Sequence, residues 1–177
     1  LPVVFDPMLM CFDPSFTRCA LRDDERGGIG IFRLSDGRRE FHLRVGKEPD
    51  EITAFSADGQ FLALRFRDRM ALWHVESGRE VIAAEGGEGV GPPSGAIAPD
   101  NRHFVRAETE GKLALYQLAT NPVVSAALIQ QWPLPFAGKL VTLAWSARGD
   151  ALALVGEAGE LCVWDRSEEH TSELQSP

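Results

Sequence analysis

Hydrophobic and polar positions alternate along the chain in short runs, and most runs end at residues that favour a turn. In the clearest example, the run ITAF is followed by Asp58-Gly59, a pair that tolerates the positive φ of a tight hairpin turn. Apolar side chains then occupy alternate positions from 62 to 66, which is the period of a β-strand. The runs MALWHV and EVIAA lie on either side of the turn sequence ESGR, and they complete four short antiparallel strands.

This pattern occurs four times. Each unit has an apolar residue before its first turn, at Phe12, Phe55, Ile97 and Trp145, with separations of 43, 42 and 48 residues. An aromatic residue closes each unit, at Phe32, Trp73, Tyr116 and Trp164, with separations of 41, 43 and 48 residues. Two positions that recur together predict stacked repeats. Pro and Gly interrupt most windows and no stretch keeps a helical period, so we predict an all-β fold.

The second unit, FSADGQFLALRFRDRMALW, resembles the repeat of the WD-repeat β-propellers, and Trp164-Asp165 resembles the dipeptide that names this family. The resemblance implies a partial β-propeller of about four consecutive four-stranded antiparallel blades, the last of them truncated. The expected blades are approximately residues 6–46, 50–86, 93–136 and 139–165. Family members commonly have seven blades and this chain begins at Leu1, so we expect it to be a fragment of a larger protein.

The units also depart from the family pattern. None has the Gly-His pair whose histidine joins a buried polar network, and only the last unit closes on Trp-Asp. Asp68 is the best candidate for the turn acid of that network, with Glu110 and Glu157 in looser positions. We therefore expect blades held by apolar packing more than by polar networks, in a divergent propeller of bacterial type.

The wider spacing before the last unit places an insertion around LATNPVVSAALIQQW, which we assign to a loop region between the third and fourth strands of the third blade. Trp132 then falls in an outer strand. Simple packing is the preferred interpretation of Trp132, and an exposed anchor for a partner is the alternative.

Composition narrows the classes of function. The net charge of −8 argues against general binding of nucleic acid or an anionic membrane, because both need a basic surface. No apolar run is long enough for a spanning helix, so this fragment has no membrane segment. Cys11, Cys19 and Cys162 lie in apolar runs and are predicted to be buried thiols. The compartment stays open, with the cytoplasm favoured.

Three features resemble sites but have simpler interpretations. The stretch GGEGVGPPSG lacks the spacing of a phosphate-binding loop and is predicted to join two blades. His42, His74 and His103 have no partners at metal-ligand spacing and are assigned to surface or strand positions. The acids at 23–25 are predicted to form a solvated loop. No cofactor, metal or catalytic residue is assigned, so we predict that the protein is not an enzyme.

A fourth feature is a basic cluster of Arg65, Arg67 and Arg69, with Arg102 and His103 at the first turn of the next blade. Alternate positions place the first three on one strand-and-turn edge, where they could bind an acidic peptide or phosphate. The interpretation we prefer is that these residues solubilise a blade edge and pair with neighbouring acids. The candidate partner-binding residues are therefore these four arginines and Trp132.

The predicted function is a non-catalytic platform that binds a protein or peptide partner, an inference by analogy with the fold. The alternative is the C-terminal sensor or scaffold propeller of a larger bacterial enzyme, such as a multidomain serine/threonine protein kinase. A third option is an enzyme that uses the central pocket of a propeller.

The last residues, RSEEHTSELQSP at 166–177, obey none of the rules of the preceding units. They resemble the in-frame translation of a sequencing adapter, so we expect a non-native tail and a fourth blade without its outer strand. Long-read resequencing of the locus should show the frame continuing past Asp165 with other residues. Genomic DNA that encodes RSEEHTSELQSP would contradict this expectation.

Overall fold

The structure is a computed structural model that describes residues 7–24, 26–83, 94–108, 111–166 and 171–173, the last of these by backbone alone. Its regular structure there consists of β-strands and short 3₁₀ segments, among them the 3₁₀ helix Pro7–Leu9. No helix among the described residues is long and apolar enough to cross a membrane. The glycine-rich stretch 84–93, Glu25 and Glu110 lie outside the described residues, and so do 167–170 and 174–177.

The strands form four antiparallel sheets of four strands, each in chain order. The first sheet contains β1 (Met10–Phe12), β2 (Arg18–Arg22), β3 (Ile29–Arg33) and β4 (Arg39–Leu43). The second contains β5 (Glu51–Phe55), β6 (Phe61–Arg65), β7 (Met70–His74) and β8 (Arg79–Ile82). The third contains β9 (Gly95–Ile97), β10 (His103–Glu108), β11 (Lys112–Ala119) and β12 (Ser125–Pro133). The fourth contains β13 (Leu140–Trp145), β14 (Ala151–Gly156), β15 (Leu161–Asp165) and β16 (Thr171–Glu173). The all-β prediction is confirmed.

The chain divides into two compact units. Unit 1 consists of Leu1–Arg67 and Ala71–Ala83, and unit 2 consists of Asp68–Met70 and Ala84–Pro177. Each unit has its own apolar core: Leu62, Leu64 and Trp73 are central in unit 1, and Leu152, Leu154 and Trp164 in unit 2. The middle strands of the second sheet are buried on both faces, because Ala63 and Ala71 are as inaccessible as the leucines beside them.

The first turn of every sheet has the same geometry. Its fourth residue has a positive φ, at Phe16, Gly59, Asn101 and Gly149, with values of 55°, 69°, 59° and 72°. The amide of that residue donates to the carbonyl three positions earlier, at 2.9 to 3.0 Å in all four turns. This backbone conformation favours Gly or Asn, which explains three of the four residues. Phe16 is the exception, and it is also 70% exposed.

A buried carboxylate holds the first turn of unit 1. Asp13 accepts hydrogen bonds from the amides of Thr17 and Arg18 at 2.7 and 2.6 Å, and from the hydroxyls of Thr17 and Ser15. Burial alone would raise its pKa, but the bonds from Ser15, Arg18 and Thr17 outweigh burial and leave the pKa lowered. The carboxylate of Asp13 therefore fixes the turn, and it also fixes the position of Arg18, the first residue of β2.

Packing, more than polar bonding, holds the closing aromatics of the second and fourth sheets, as the sequence predicted. Trp73 is buried, and its indole N–H has no hydrogen-bond partner among the described residues. Trp164 stacks on Trp132 at a centroid distance of 4.8 Å and meets Trp145 edge to face at 6.3 Å. Trp132 lies in β12, the outer strand to which the sequence assigned it.

The insertion in the third unit was assigned to a loop, and that assignment is wrong in detail. β11 and β12 have 8 and 9 residues, whereas β3, β4 and β7 have 5 each. The extra residues lengthen the hairpin because the runs KLALYQLA and SAALIQQW can both continue as strands. Only residues 120–124 connect them.

The fourth sheet also differs from its predicted form. β16 pairs with β15 in the register Cys162 with Glu173 and Trp164 with Thr171, where the sequence predicted no outer strand. An open strand edge offers unpaired N–H and C=O groups, so it can pair with an extended segment without a strand-like side-chain pattern. The prediction of a missing outer strand was wrong because it rested on side-chain patterns alone, whereas strand pairing uses the backbone.

Trp164→Ala should lower the free energy of unfolding by about 3 to 5 kcal/mol, since it removes a buried aromatic that contacts two other indoles. Urea denaturation of the full chain, followed by circular dichroism, measures the change. Leu161→Ala is the matched control on the same strand, because Leu161 is 45% exposed. Equal losses in the two variants would show that Trp164 is not a packing centre.

Asp13→Asn should be destabilising at pH 7, with a deficit that shrinks as the pH falls. The pKa of Asp13 is lower in the folded chain than the value of about 3.9 expected in the unfolded chain. The ionised carboxylate therefore stabilises the fold above about pH 3.9, and this stabilisation is lost as the pH falls through the folded-state pKa. Urea titrations at several pH values between 7 and 2 test this, with the exposed Asp24→Asn as control. A deficit independent of pH would contradict a charge-based role for Asp13.

Candidate functional site

Unit 1 contains a cavity of about 350 Å³ at the end of its sheets where the first turns lie. This volume falls at the lower end of the range for small-ligand or side-chain pockets. Eight residues line it, from β2, β4, the turn after β5 and the end of β7: Arg18, Phe41, Asp58, Gly59, Gln60, His74, Val75 and Glu76. We refer to this set as the unit 1 pocket.

Arg18 forms one wall of the unit 1 pocket and is held in place by two neighbours. Its Nε donates to Glu40 Oε2 at 2.9 Å, and its guanidinium carbon lies 5.5 Å from the centre of the Phe41 ring. The Arg18 side chain remains 33% exposed. Gly59 lies opposite, where an added Cβ would come within 3.7 Å of Arg18 Nη1. Glu40 also accepts from Arg33 Nε at 2.7 Å, and Arg33 pairs with Asp36. Glu40 and Asp36 together therefore balance the two arginines before any ligand arrives.

Two exposed carboxylates give the unit 1 pocket an excess of negative charge. Asp58 Oδ1 accepts from the Ser56 hydroxyl at 2.6 Å and from the Gln60 amide at 3.1 Å, which fixes its direction. Glu76 is exposed directly after the buried Val75. Among the lining residues, Arg18 is the single cation beside the two acids, so the charge of the lining is negative.

His74 lines the pocket as a neutral ring. It is 6% exposed and meets Phe61 edge to face at 5.5 Å. Its Nδ1 accepts from the Ser77 amide at 3.2 Å, so the neutral ring carries its proton on Nε2. Burial lowers its pKa and outweighs the opposite influence of Glu76 and Asp58. At neutral pH His74 is therefore a hydrogen-bonding group without charge.

An exposed aromatic pair lies on the turn that leads into Arg18. Phe16 stacks on Phe12 at 5.1 Å, with the rings 7° from parallel. Phe16 adopts a left-handed backbone conformation that costs a bulky residue about 1 to 2 kcal/mol, although it gains little burial there. Strain kept at an exposed aromatic marks a candidate contact for a partner.

The four predicted partner-binding arginines occupy several environments. Arg65 ends β6, and its Nη2 lies 2.5 Å from Glu51 Oε2. Arg67 is exposed just beyond β6, while Arg69 is half-buried and belongs to unit 2. Arg102 is exposed in the β9–β10 turn. The β9–β10 turn joins the first two strands of its sheet, whereas Arg67 lies in the β6–β7 turn, which joins the second and third strands. Arg102 and Arg67 are therefore at non-equivalent ends of their sheets.

His42, His74 and His103 were assigned to surface or strand positions, and all three lie in strands, β4, β7 and β10. His74 and His103 are 6% and 8% exposed, at the end of β7 and the start of β10. His103 Nδ1 lies 2.6 Å from Asp100 Oδ2, which explains how a polar ring is accommodated there. No group of potential metal ligands occurs among the described residues.

The acids at 23–25 were predicted to be solvated, which is wrong for Asp23. Asp23 is 6% exposed, accepts a charged hydrogen bond from Arg39, and lies 3.9 Å from His42 Nε2. Asp24 is exposed and pairs with Arg22, as a solvated loop would have it. A run of acidic residues does not indicate which of them is buried, because the burial of Asp23 depends on its partner Arg39 in another strand.

The third sheet has a polar network that the sequence did not predict. Arg106 is 4% exposed and donates from Nη2 to Glu108 at 2.7 Å and to the Tyr116 hydroxyl at 2.9 Å. Tyr116 in turn donates to Glu108 at 2.8 Å. Burial and the bond to Glu108 raise the pKa of Tyr116 to about 12. Glu108, the last residue of β10, therefore joins the closing aromatic Tyr116 in this network.

The cysteine prediction is confirmed for two residues. Cys19 and Cys162 are buried free thiols, and Cys11 is half-buried and also free. Burial raises the pKa of Cys19 to about 11, so its thiolate is scarce at neutral pH. None of the three lines the unit 1 pocket.

Sequence reasoning missed most of the pocket. Arg18 and Phe41 carry no motif, and Glu76 reads as an ordinary turn residue before Ser77-Gly78. One available signal was the alignment of first turns, which places Phe16 where other units have Gly or Asn. That mismatch pointed to the correct turn without revealing the cavity beside it.

Comparison with solved structures identifies the fold. The structure titled "Structure of U3-55K", a WD40 β-propeller protein, matches 93% of this chain with a TM-score of 0.63 at 16% sequence identity. The chain spans 50% of the length of that structure. No protein-family model and no curated protein matches the sequence. As many as 1007 solved chains match, so the likeness defines a widely used fold and singles out no function. The fold class is that of a partial β-propeller, built from four-stranded antiparallel sheets.

Proposed function

We propose that this protein is a binding platform whose unit 1 pocket takes a basic side chain, lysine or arginine, of a protein partner. The observation that carries the proposal is the pair of exposed carboxylates, Asp58 and Glu76, in a cavity whose one arginine is already paired. The likeness to a WD40 propeller supports an interaction scaffold at the general level.

The dimensions and polarity of the pocket suit a side chain. A cavity of about 350 Å³ accommodates the stem of a lysine or arginine, and the Phe41 ring offers an apolar surface for that stem. Asp58 and Glu76 then meet the charged end, while neutral His74 adds no repulsion. The net charge of −8 attracts basic segments from a distance as well.

Phe16 extends this surface. It projects from the β1–β2 turn only two residues before Arg18, and 70% of it is exposed. Aromatic side chains, Phe among them, are enriched in protein interfaces, so Phe16 offers the partner a further apolar contact. The partner we propose is therefore an exposed segment with a basic residue flanked by an apolar one.

The arginine cluster predicted from the sequence remains a second proposal, for an acidic partner at the β6–β7 turn, where Arg67 is exposed. The alternative of a propeller within a larger bacterial enzyme also stays a prediction. Neither has an observation in the described residues comparable to the unit 1 pocket.

The test uses three pools of short peptides with random flanks and a fixed central lysine, glutamate or alanine, incubated with the immobilised full chain. The lysine pool should be retained above the alanine pool, and the glutamate pool should not. Peptides recovered from the lysine pool should bind Glu76→Gln about two- to fivefold more weakly, the value of one exposed charge pair.

Glu48→Gln is the matched control, because Glu48 is an exposed acid of unit 1 outside the pocket. It makes the same change in net charge and should leave the affinity unchanged. Equal weakening by both variants would indicate general attraction to a negative protein. Retention of the glutamate pool, with loss on Arg18→Ala, would show that the pocket binds anions instead.

A further inference from the structure

The outer strand of the third sheet has an open edge. β12 lies at the end of the order β12-β11-β10-β9, so β11 is its only strand neighbour in the part of the chain that the structure describes. It spans nine residues, Ser125–Pro133, most of them exposed. Half of the backbone N–H and C=O groups of such a strand point away from its neighbour and have no ladder partner.

β12 lacks the charges that protect comparable edges. The outer strands of the first two sheets each contain a basic and an acidic residue, Arg39 and Glu40 in β4 and Arg79 and Glu80 in β8. The sequence of β12, SAALIQQWP, contains no charge at all. Its two large aliphatic residues, Leu128 and Ile129, are 49% and 48% exposed. Charged edges discourage strand addition, and an uncharged apolar edge invites it.

A bulge divides β12 into two halves. Gln130 pairs with Leu115 and Leu128 pairs with Tyr116, so Ile129 is the extra residue. In the half after the bulge, Trp132 is stacked on Trp164 and Pro133 has no N–H to donate. The half before the bulge, Ser125–Leu128, keeps a regular register with Ala119 to Tyr116. This half is the part of the edge that can accept another strand.

We propose that Ser125–Leu128 is a docking edge for an extended, uncharged or basic segment of another protein, which adds to the third sheet as a fifth strand. Main-chain hydrogen bonds would supply the affinity, and the exposed side chain of Leu128 would select apolar neighbours. Acidic segments are disfavoured by the net charge of −8. The proposal does not depend on the unit 1 pocket.

A second copy of the chain fits this edge less well. Two copies that paired antiparallel along all of β12 would be centred on residue 129 and would set the two Ile129 bulges opposite each other. Each copy also has a charge of −8. Pairing through the regular half alone avoids the bulges for either occupant, and there the like charge of two copies favours a segment from a different protein.

The test selects peptides of about twelve residues from a random displayed library against the immobilised full chain. Selected peptides, made synthetically, should slow amide hydrogen exchange at 125–128. Leu128→Lys should weaken their binding about tenfold or more, because it removes the apolar contact and charges the edge. Each peptide is also made N-methylated at its odd or at its even residues, and one of these two forms should bind about tenfold more weakly, since only every second amide faces the edge and completes the ladder.

Val123→Lys is the matched control, since Val123 is an apolar residue, 61% exposed, in the turn before β12. It changes the net charge equally and should keep the affinity within about twofold. Equal binding by Leu128→Lys, full binding of both N-methylated forms, or failure to enrich any peptide that depends on Leu128 would overturn the proposal. Sedimentation that shows a dimer dispersed by Leu128→Lys would overturn it too, in favour of a second copy.

Discussion

Burial of β6 and β7 on both faces is the constraint on which the second sheet and the pocket beside it depend. In β6 and β7 the leucines and the alanines between them are all nearly inaccessible. The central positions of a strand buried in this way favour apolar side chains, so polar residues concentrate at strand ends, in turns and in outer strands. The pocket residues Asp58 and Glu76 lie directly beyond the ends of such strands. The position of the candidate site thus follows from the way the core is built.

Turn chemistry explains why the fold was predictable from the sequence. Asp58-Gly59 and the closing residue Trp73 each reflect a local requirement, either a positive φ or a large apolar volume, that few residue types satisfy. Local requirements leave a trace in one short window of sequence. Because the same signals recur in four units, the strand order could be predicted even though the third unit is longer than the others.

The candidate site was not predictable for the opposite reason. Its cavity is formed by β2, β4, the β5–β6 turn and the end of β7, which no single window contains. Asp23 shows the same limit: its burial depends on Arg39, sixteen positions away. Sequence patterns report what one segment needs from its own backbone. They do not report which distant side chain will satisfy a polar group.

The polar network of Arg106, Glu108 and Tyr116 shows how such groups become compatible with burial. Removing a charge from water is costly unless a partner of opposite charge and further hydrogen bonds compensate. Here Glu108 accepts from both Arg106 and Tyr116, and Arg106 also lies 5.1 Å from the centre of the Tyr116 ring. Burial would raise the pKa of Glu108, but the bonds from Arg106 and Tyr116 leave it lowered, so the acid stays ionised. Because all three residues belong to β10 and β11, the network fixes the register of the hairpin that also supports β12.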